Sequence, residues 1–130
     1  MPSLWILIGS VFGFLSVAMG AFGAHALSES LSPKSLQIYQ TAAQYQMYHA
    51  LALICFGLYS MFHPLFSSSF LWLCTGSAFT LGIFFFSGSL YALALTDIKI
   101  LGAITPIGGL FFLLGWVLFG VCAFYGKSPL

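Results

Sequence analysis

The side chains that could carry chemistry are concentrated in one stretch of the chain. Polar residues recur there every three or four positions, which places them along one side of a helix for about three turns. Gln46 falls on the opposite side of the same helix, so its amide needs a partner on another helix or in another subunit. An unpaired amide is costly in an apolar environment, so these groups must be hydrogen-bonded or hydrated. The polar side consists of Gln37, Gln40, Thr41, Gln44, Tyr45, Tyr48 and His49.

Hydroxyl and imidazole groups elsewhere in the chain could serve as partners for this helix. We expect a structural polar network to join them. A small polar pocket is the alternative, because Gly88 and the pair Gly108 and Gly109 would leave space beside the same groups. Spacing alone leaves both interpretations open. The candidate partners are His25, Ser87, Ser89, Tyr91 and Thr105.

His49 is the candidate residue for catalysis or metal binding. An enzyme could use it with Tyr45 or Tyr91 as acid and base, but no carboxylate is available to orient the imidazole. A haem or metal shared with His25 is not expected, because His49 lies about 22 Å along its helix from Lys34, whereas His25 is near a helix end. No metal and no cofactor are therefore predicted.

The composition determines where these residues must lie. Of 130 residues, 61% are hydrophobic and only 4% are charged, with a net charge of +1. Soluble domains carry roughly 25% charged residues, so most of this surface must face lipid. The absence of a basic run argues against nucleic-acid binding.

Four segments are long and apolar enough to cross a bilayer, which takes about 20 residues per helix. The predicted fold is an all-α integral membrane protein, a four-helix up-down-up-down bundle forming a single domain over residues 1–130. Lys34 and Lys99 lie in the first and third connections, whereas Lys127 alone lies on the side shared by the termini. This difference in positive charge favours cytoplasmic first and third connections. The predicted spans are residues 4–26, 42–62, 70–95 and 106–125.

Helix starts are marked by hydroxyl residues and proline. Ser32 followed by Pro33 indicates an N-cap and a first helical position, so the second helix should begin before the membrane does. The serines at 67–69 can cap the third helix, and Thr105 with Pro106 predicts the start of the fourth.

Glycines supply the faces on which these helices are expected to meet, since close backbone approach stabilises helix pairs in lipid. We expect these faces to serve packing within one chain rather than a dimer seam. The packing glycines are Gly9, Gly13, Gly20, Gly23, Gly88, Gly108, Gly109 and Gly115.

Five ordered motifs across nearly the whole chain resemble a known family. They are Gly20 to Leu27, Tyr39 to Gln46, His49 to Leu53, Phe86 to Tyr91, and Thr105 to Gly109 with Gly115 and Trp116. The chain resembles the bacterial membrane proteins grouped as domain of unknown function 423, which are related to the eukaryotic transmembrane protein 256. The resemblance implies a four-helix protein of the bacterial inner membrane, and it implies no reaction, substrate or cofactor.

Three functions fit these observations. The favoured one is a non-enzymatic membrane protein that binds a lipid or small hydrophobic molecule, or that associates with another membrane protein. The second is transport or a channel, which would require a homo-oligomer because four thin helices are too few for alternating halves. The third is an intramembrane enzyme using His49.

Overall fold

A computed structural model describes residues 3–64, 67 and 69–126, and every regular element in those residues is helical. A π-helical segment and a 3-10 turn interrupt the α-helices. In chain order the elements are α1 (Ser3–His25), α2 (Pro33–Met61), α3 (Phe70–Gly82), the π segment (Ile83–Gly88), α4 (Ser89–Thr96), the 3-10 turn (Lys99–Ala103) and α5 (Thr105–Tyr125).

The elements form the predicted bundle of four helical segments, each long enough to cross a membrane. Three segments are long and apolar enough to cross a membrane: Ser3–His25, Phe70–Thr96 and Lys99–Tyr125. The second of these joins α3, the π segment and α4 into one span of 27 residues. The remaining long helix is α2, which has 29 residues and carries the polar stretch. The four helices overlap the predicted spans, and the points at which each helix enters and leaves the membrane stay predictions.

Two of the three predicted helix caps are confirmed. Ser32 caps α2 through a hydrogen bond from the Ser35 amide to its hydroxyl (3.1 Å), with Pro33 in the first turn. Ser69 accepts in the same way from the Trp72 amide (3.1 Å) and caps α3. Ser68 and Lys127 lie outside the described residues, so the orientation favoured by the lysines stays a prediction.

The cap predicted at Thr105 is wrong. Thr105 is the first residue of α5, the position before it is Ile104, and no side chain caps this helix. The physical reason is that the Thr105 hydroxyl is already engaged, 2.7 Å from the Ser89 hydroxyl and 3.4 Å from the Leu101 carbonyl.

Helices α1 and α2 lie antiparallel, and small residues bring their backbones together. A Cβ on Gly9 would lie 2.7 Å from the Ala50 carbonyl oxygen. At one end of the pair Gly57 faces Ile6, and at the other Gly23 faces the Tyr39 ring. The middle of α1 is therefore level with residues 43–46 of α2.

The span formed by α3, the π segment and α4 packs against α5 in a similar way, with bulky groups placed against the α5 glycines. A Cβ on Gly115 would lie 2.7 Å from the Phe79 ring, and one on Gly108 would overlap the Phe86 backbone in the π segment. Gly13 and Gly109 make only ordinary contacts, at 4.0 Å and 3.9 Å.

The packing role predicted for Gly20 and Gly88 needs correction. A Cβ built at either residue has nothing within 4 Å. Neither glycine therefore marks a close helix contact among the described residues.

Candidate functional site

Gln46 connects three helices in the interior. Its side-chain nitrogen donates to the Phe12 carbonyl of α1 (2.9 Å), and its side-chain oxygen accepts from the Tyr91 hydroxyl of α4 (2.8 Å). The residue is only 4% exposed. Because both ends of the amide are bonded, the polar group is stable within an apolar bundle.

Several other hydroxyl groups donate to backbone carbonyls of neighbouring helices. Ser16 of α1 donates to the Ala43 carbonyl (2.7 Å), and Ser87 donates to the Ala42 carbonyl (2.8 Å). Tyr39 donates to the Met19 carbonyl at 2.6 Å. These bonds attach α2 to α1 on one side and to the π segment on the other.

His49 has a bonded partner at each ring nitrogen. Nδ1 lies 2.7 Å from the Tyr45 carbonyl, which can only accept, so Nδ1 carries the proton. Nε2 is then the acceptor for the indole N–H of Trp116 at 3.1 Å. The Phe112 ring stacks on the imidazole with 3.5 Å between ring centroids. His49 is thus a neutral, immobilised ring joining α2 to α5.

Ser89 and Thr105 form a separate pair. Their hydroxyl oxygens are 2.7 Å apart and link α4 to the start of α5. The Ser89 hydroxyl also donates to the Phe86 carbonyl at 3.0 Å. This pair lies next to the π segment, whose wider turn changes the local hydrogen bonding.

A groove of about 620 Å³ opens on the bundle surface between α2 and α5, beside the π segment. Buried His49 and Phe112 belong to its wall, whereas Tyr45, Tyr48 and Trp116 are exposed. Gly109 contributes no side chain to the space. The groove is lined by Tyr45, Tyr48, His49, Phe86, Pro106, Gly109, Leu110, Phe112, Leu113 and Trp116.

A smaller cavity of about 200 Å³ lies between α1 on one side and the π segment with α4 on the other. It contains the polar groups of Gln46, Ser87 and Tyr91, all of which are bonded to protein atoms. Gly88 lines this cavity and leaves part of its space open.

The structure brings together most, but not all, of the predicted site residues. Gln46, Ser87 and Tyr91 meet at the smaller cavity, and Ser89 meets Thr105. Tyr45, Tyr48 and His49 line the groove.

Two of the predicted residues lie apart from the interior network. His25 is the exposed last residue of α1 and makes none of these hydrogen bonds to the described residues. Gln44 is exposed and donates only to the Tyr48 hydroxyl (2.6 Å) among the described residues.

Three contributors were missing from the predicted set: Ser16, Tyr39 and Trp116. Tyr39 precedes Gln46 by seven residues, so helical spacing places both on the face that meets α1. That signal was available in the sequence. The sequence carried no comparable signal for Ser16 and Trp116, because Ser16 bonds to a backbone carbonyl and Trp116 to a histidine, each on another helix.

The described residues do not suggest a metal site. Across residues 3–64, 67 and 69–126, no three His, Cys, Asp or Glu side chains lie close enough together to hold a metal ion.

Comparison with known proteins places this architecture in a family. The family described as "protein of unknown function (DUF423)" matches residues 19–109, which include α2, the π segment and the start of α5. The chain belongs to this family. The match confirms the resemblance seen in the sequence, and the matched residues include its five motifs apart from Gly115 and Trp116.

Relatives extend the match to nearly the full length. The chain is 48% identical to the UPF0382 membrane protein of Staphylococcus haemolyticus over 93% of this chain and 95% of that protein. It is 41% identical to the UPF0382 membrane protein YwdK of Bacillus subtilis, over 92% and 95%. It is 38% identical to the UPF0382 membrane protein of Haemophilus influenzae, over 98% and 99%. No solved structure matches the chain. Together with the membrane-length helices, these relatives establish a multi-pass membrane protein.

Proposed function

We propose that this protein takes up a lipid or another small hydrophobic molecule from the membrane and holds it in the groove between α2 and α5. The observation that carries the proposal is the groove itself. Its volume of about 620 Å³ falls within the roughly 300–1,000 Å³ typical of small-molecule sites. Its lining is mainly aromatic and aliphatic, so an apolar molecule is the matching occupant.

The groove has a rigid inner wall, which supports binding of a defined shape. His49 is fixed by hydrogen bonds at both ring nitrogens, and Phe112 stacks on it. Both residues are buried. A site whose walls are fixed before binding loses less conformational entropy on binding.

The open side of the groove supports entry from the lipid. Tyr45 is 39% exposed, Tyr48 is 48% exposed, and Leu110 and Leu113 are more exposed still. Because the bundle crosses the membrane, a ligand dissolved in the bilayer can reach this side without passing through water.

Two hydroxyl groups favour a ligand that carries a hydrogen-bond acceptor. The Tyr45 hydroxyl makes no hydrogen bond to other described residues. The Tyr48 hydroxyl accepts from Gln44, so its own proton remains available to a further acceptor. An acyl or ring carbonyl on an otherwise apolar molecule would complement these donors.

The state of His49 supports binding rather than acid–base catalysis. A general base must reach the proton it removes. Here Nδ1 faces the Tyr45 carbonyl and Nε2 faces the Trp116 indole, so neither nitrogen is directed at a substrate.

The test fills the groove and leaves the rest of the helix unchanged. Gly109→Phe places a ring in the groove, where a Cβ meets nothing closer than 3.9 Å. Gly120→Phe is the matched control, because it is on the same helix and has open space around it. The readout is native mass spectrometry of protein released from nanodiscs.

We expect a reproducible small-molecule adduct on the wild type and on Gly120→Phe, and its loss from Gly109→Phe. The proposal would be overturned by equal retention in all three proteins. Absence of any adduct from wild type, with no binding of added acyl lipid, would also overturn it.

A further inference from the structure

One face of α2 is exposed along the length of the helix. Its residues fall within an arc of about 80° when successive residues are placed 100° apart. The N-terminal part of this face is polar and the C-terminal part is apolar. We call it the outer α2 face; its members, all exposed, are Gln37, Gln40, Gln44, Tyr48, Leu51, Cys55 and Leu58.

The contacts between α1 and α2 give the depth of Gln44. Ser16 bonds to the Ala43 carbonyl, and Gln46 bonds to the Phe12 carbonyl. Gln44 is therefore level with residues 12–16, the middle of a helix that runs from Ser3 to His25 and is apolar enough to cross the membrane. Its exposed amide lies at the depth of the hydrocarbon core.

An amide at that depth has too few partners in a single chain. The Gln44 side-chain nitrogen donates to the Tyr48 hydroxyl (2.6 Å), and no other bond of this side chain is present among the described residues. The amides of Gln37 and Gln40 also have no bonded partner in the part of the chain that the structure describes, but these two residues precede the predicted span and can be hydrated; Gln44 carries the argument. Unpaired amide groups facing lipid are strongly unfavourable. The outer α2 face therefore requires a partner surface that can form hydrogen bonds.

We propose that this partner surface is the same face of a second copy of this chain. A primary amide carries both donors and an acceptor and has no charge, so identical glutamines can pair with each other. Copies inserted in one orientation and related by a two-fold axis along the membrane normal bring identical residues together.

The spacing of the outer α2 face fits such a parallel pair. Gln37, Gln44, Leu51 and Leu58 recur every seven residues. A seven-residue repeat keeps one seam between two helices that cross at a small left-handed angle. In this arrangement the polar part meets the polar part and the apolar part meets the apolar part. The groove lies on the adjoining side, towards α5, and shares Tyr48 with the outer α2 face. The proposed dimer is argued from the other six residues of the face and does not depend on a ligand in the groove.

Cys55 makes the interface directly testable, because its exposed free thiol lies on the outer α2 face. Membranes containing the full chain are treated with copper phenanthroline, which oxidises two thiols to a disulfide when they meet. We expect a disulfide-linked dimer for the wild type and its loss in Cys55→Ser. The matched control adds Val117→Cys to Cys55→Ser, which moves the thiol to an exposed position on α5, and we expect little cross-linking.

A second measurement tests the amide itself. Gln44→Leu should raise the dimer dissociation constant in liposomes by about 3- to 30-fold, the range expected for one interhelical hydrogen bond in a bilayer. Gln44→Asn, which keeps an amide, should raise the dissociation constant by a smaller factor. Ser10→Ala is the control, because Ser10 is an exposed hydroxyl that bonds only within α1 among the described residues, and it should behave as wild type.

Three results would each overturn the proposal. The first is cross-linking through Cys55 no faster than through the cysteine of Val117→Cys. The second is unchanged dimerisation of Gln44→Leu. The third is a Cys55 cross-link to a different protein in place of the dimer, which would assign the face to another membrane protein.

Discussion

Tyr91 and Gln46 are joined by a hydrogen bond of 2.8 Å between a phenol on α4 and an amide oxygen on α2. The nitrogen of the same amide donates to the Phe12 carbonyl on α1 at 2.9 Å. One side chain thus connects three helices. In lipid, where the hydrophobic effect does not drive helix association, such bonds and close packing hold a bundle together.

Replacing Gln46 should therefore destabilise the bundle. Gln46→Leu removes both bonds and leaves the Tyr91 hydroxyl and the Phe12 carbonyl without this partner. At roughly 0.6–2 kcal/mol per interhelical bond, the free energy of unfolding should fall by about 1–4 kcal/mol. Steric trapping in bicelles measures this quantity. Thr41→Val is the control, since Thr41 bonds within its own helix, and it should change stability little. A Gln46→Leu protein as stable as wild type would contradict the role assigned to the amide.

Alanine substitutions at two adjacent glycines of α5 should affect stability differently. Gly108→Ala places a methyl group against the Phe86 backbone of the π segment, which cannot move away as a side chain can. Overpacking of this kind costs about 1–3 kcal/mol. Gly109→Ala meets only the Phe86 ring at 3.9 Å and should be neutral or stabilising by up to about 1 kcal/mol. Thermal unfolding of the two variants in detergent checks the difference. Equal midpoints would show that the π segment and α5 are not in contact as described.

The proton of His49 should reside on Nδ1. The Tyr45 carbonyl accepts at that nitrogen, and the Trp116 indole donates to Nε2. Nitrogen-15 NMR of histidine-labelled protein in bilayers distinguishes the two tautomers. In Trp116→Phe the Nε2 signal should move while Nδ1 keeps its proton. A proton found on Nε2 in the wild type would rule out the Trp116 hydrogen bond.

Local signals in the sequence predicted the architecture well. Ser32 with Pro33 marked the start of α2, and Ser69 marked that of α3, because a capping hydroxyl bonds to amides only three residues away. The same rule failed at Thr105, whose hydroxyl bonds to Ser89 on another helix instead. The π segment also had no local signal. The π segment packs against Gly108 of α5, and such contacts between helices cannot be derived from residue spacing.

The candidate site was only partly predictable for a related reason. Polar side chains on α2 were visible from their three- and four-residue spacing, and the need of Gln46 for a partner on another helix followed from its position. The acceptors in the structure are largely backbone carbonyls, such as those of Ala42 and Ala43. Every residue has a carbonyl, so sequence cannot show which ones a neighbouring helix will reach. The groove likewise depends on how α2 and α5 diverge.

The central claim is that the groove holds a specific hydrophobic molecule, and photo-cross-linking in native membranes tests it most directly. A photoreactive amino acid replaces either Leu110, which lines the groove, or Val117 on the same helix outside it. The two positions are 66% and 63% exposed, and their separation of seven residues puts them on one face of α5. Mass spectrometry then identifies what each position captures. We expect one discrete molecule at position 110 and a mixture of bulk lipids at position 117. The same lipid mixture at both positions would contradict the account.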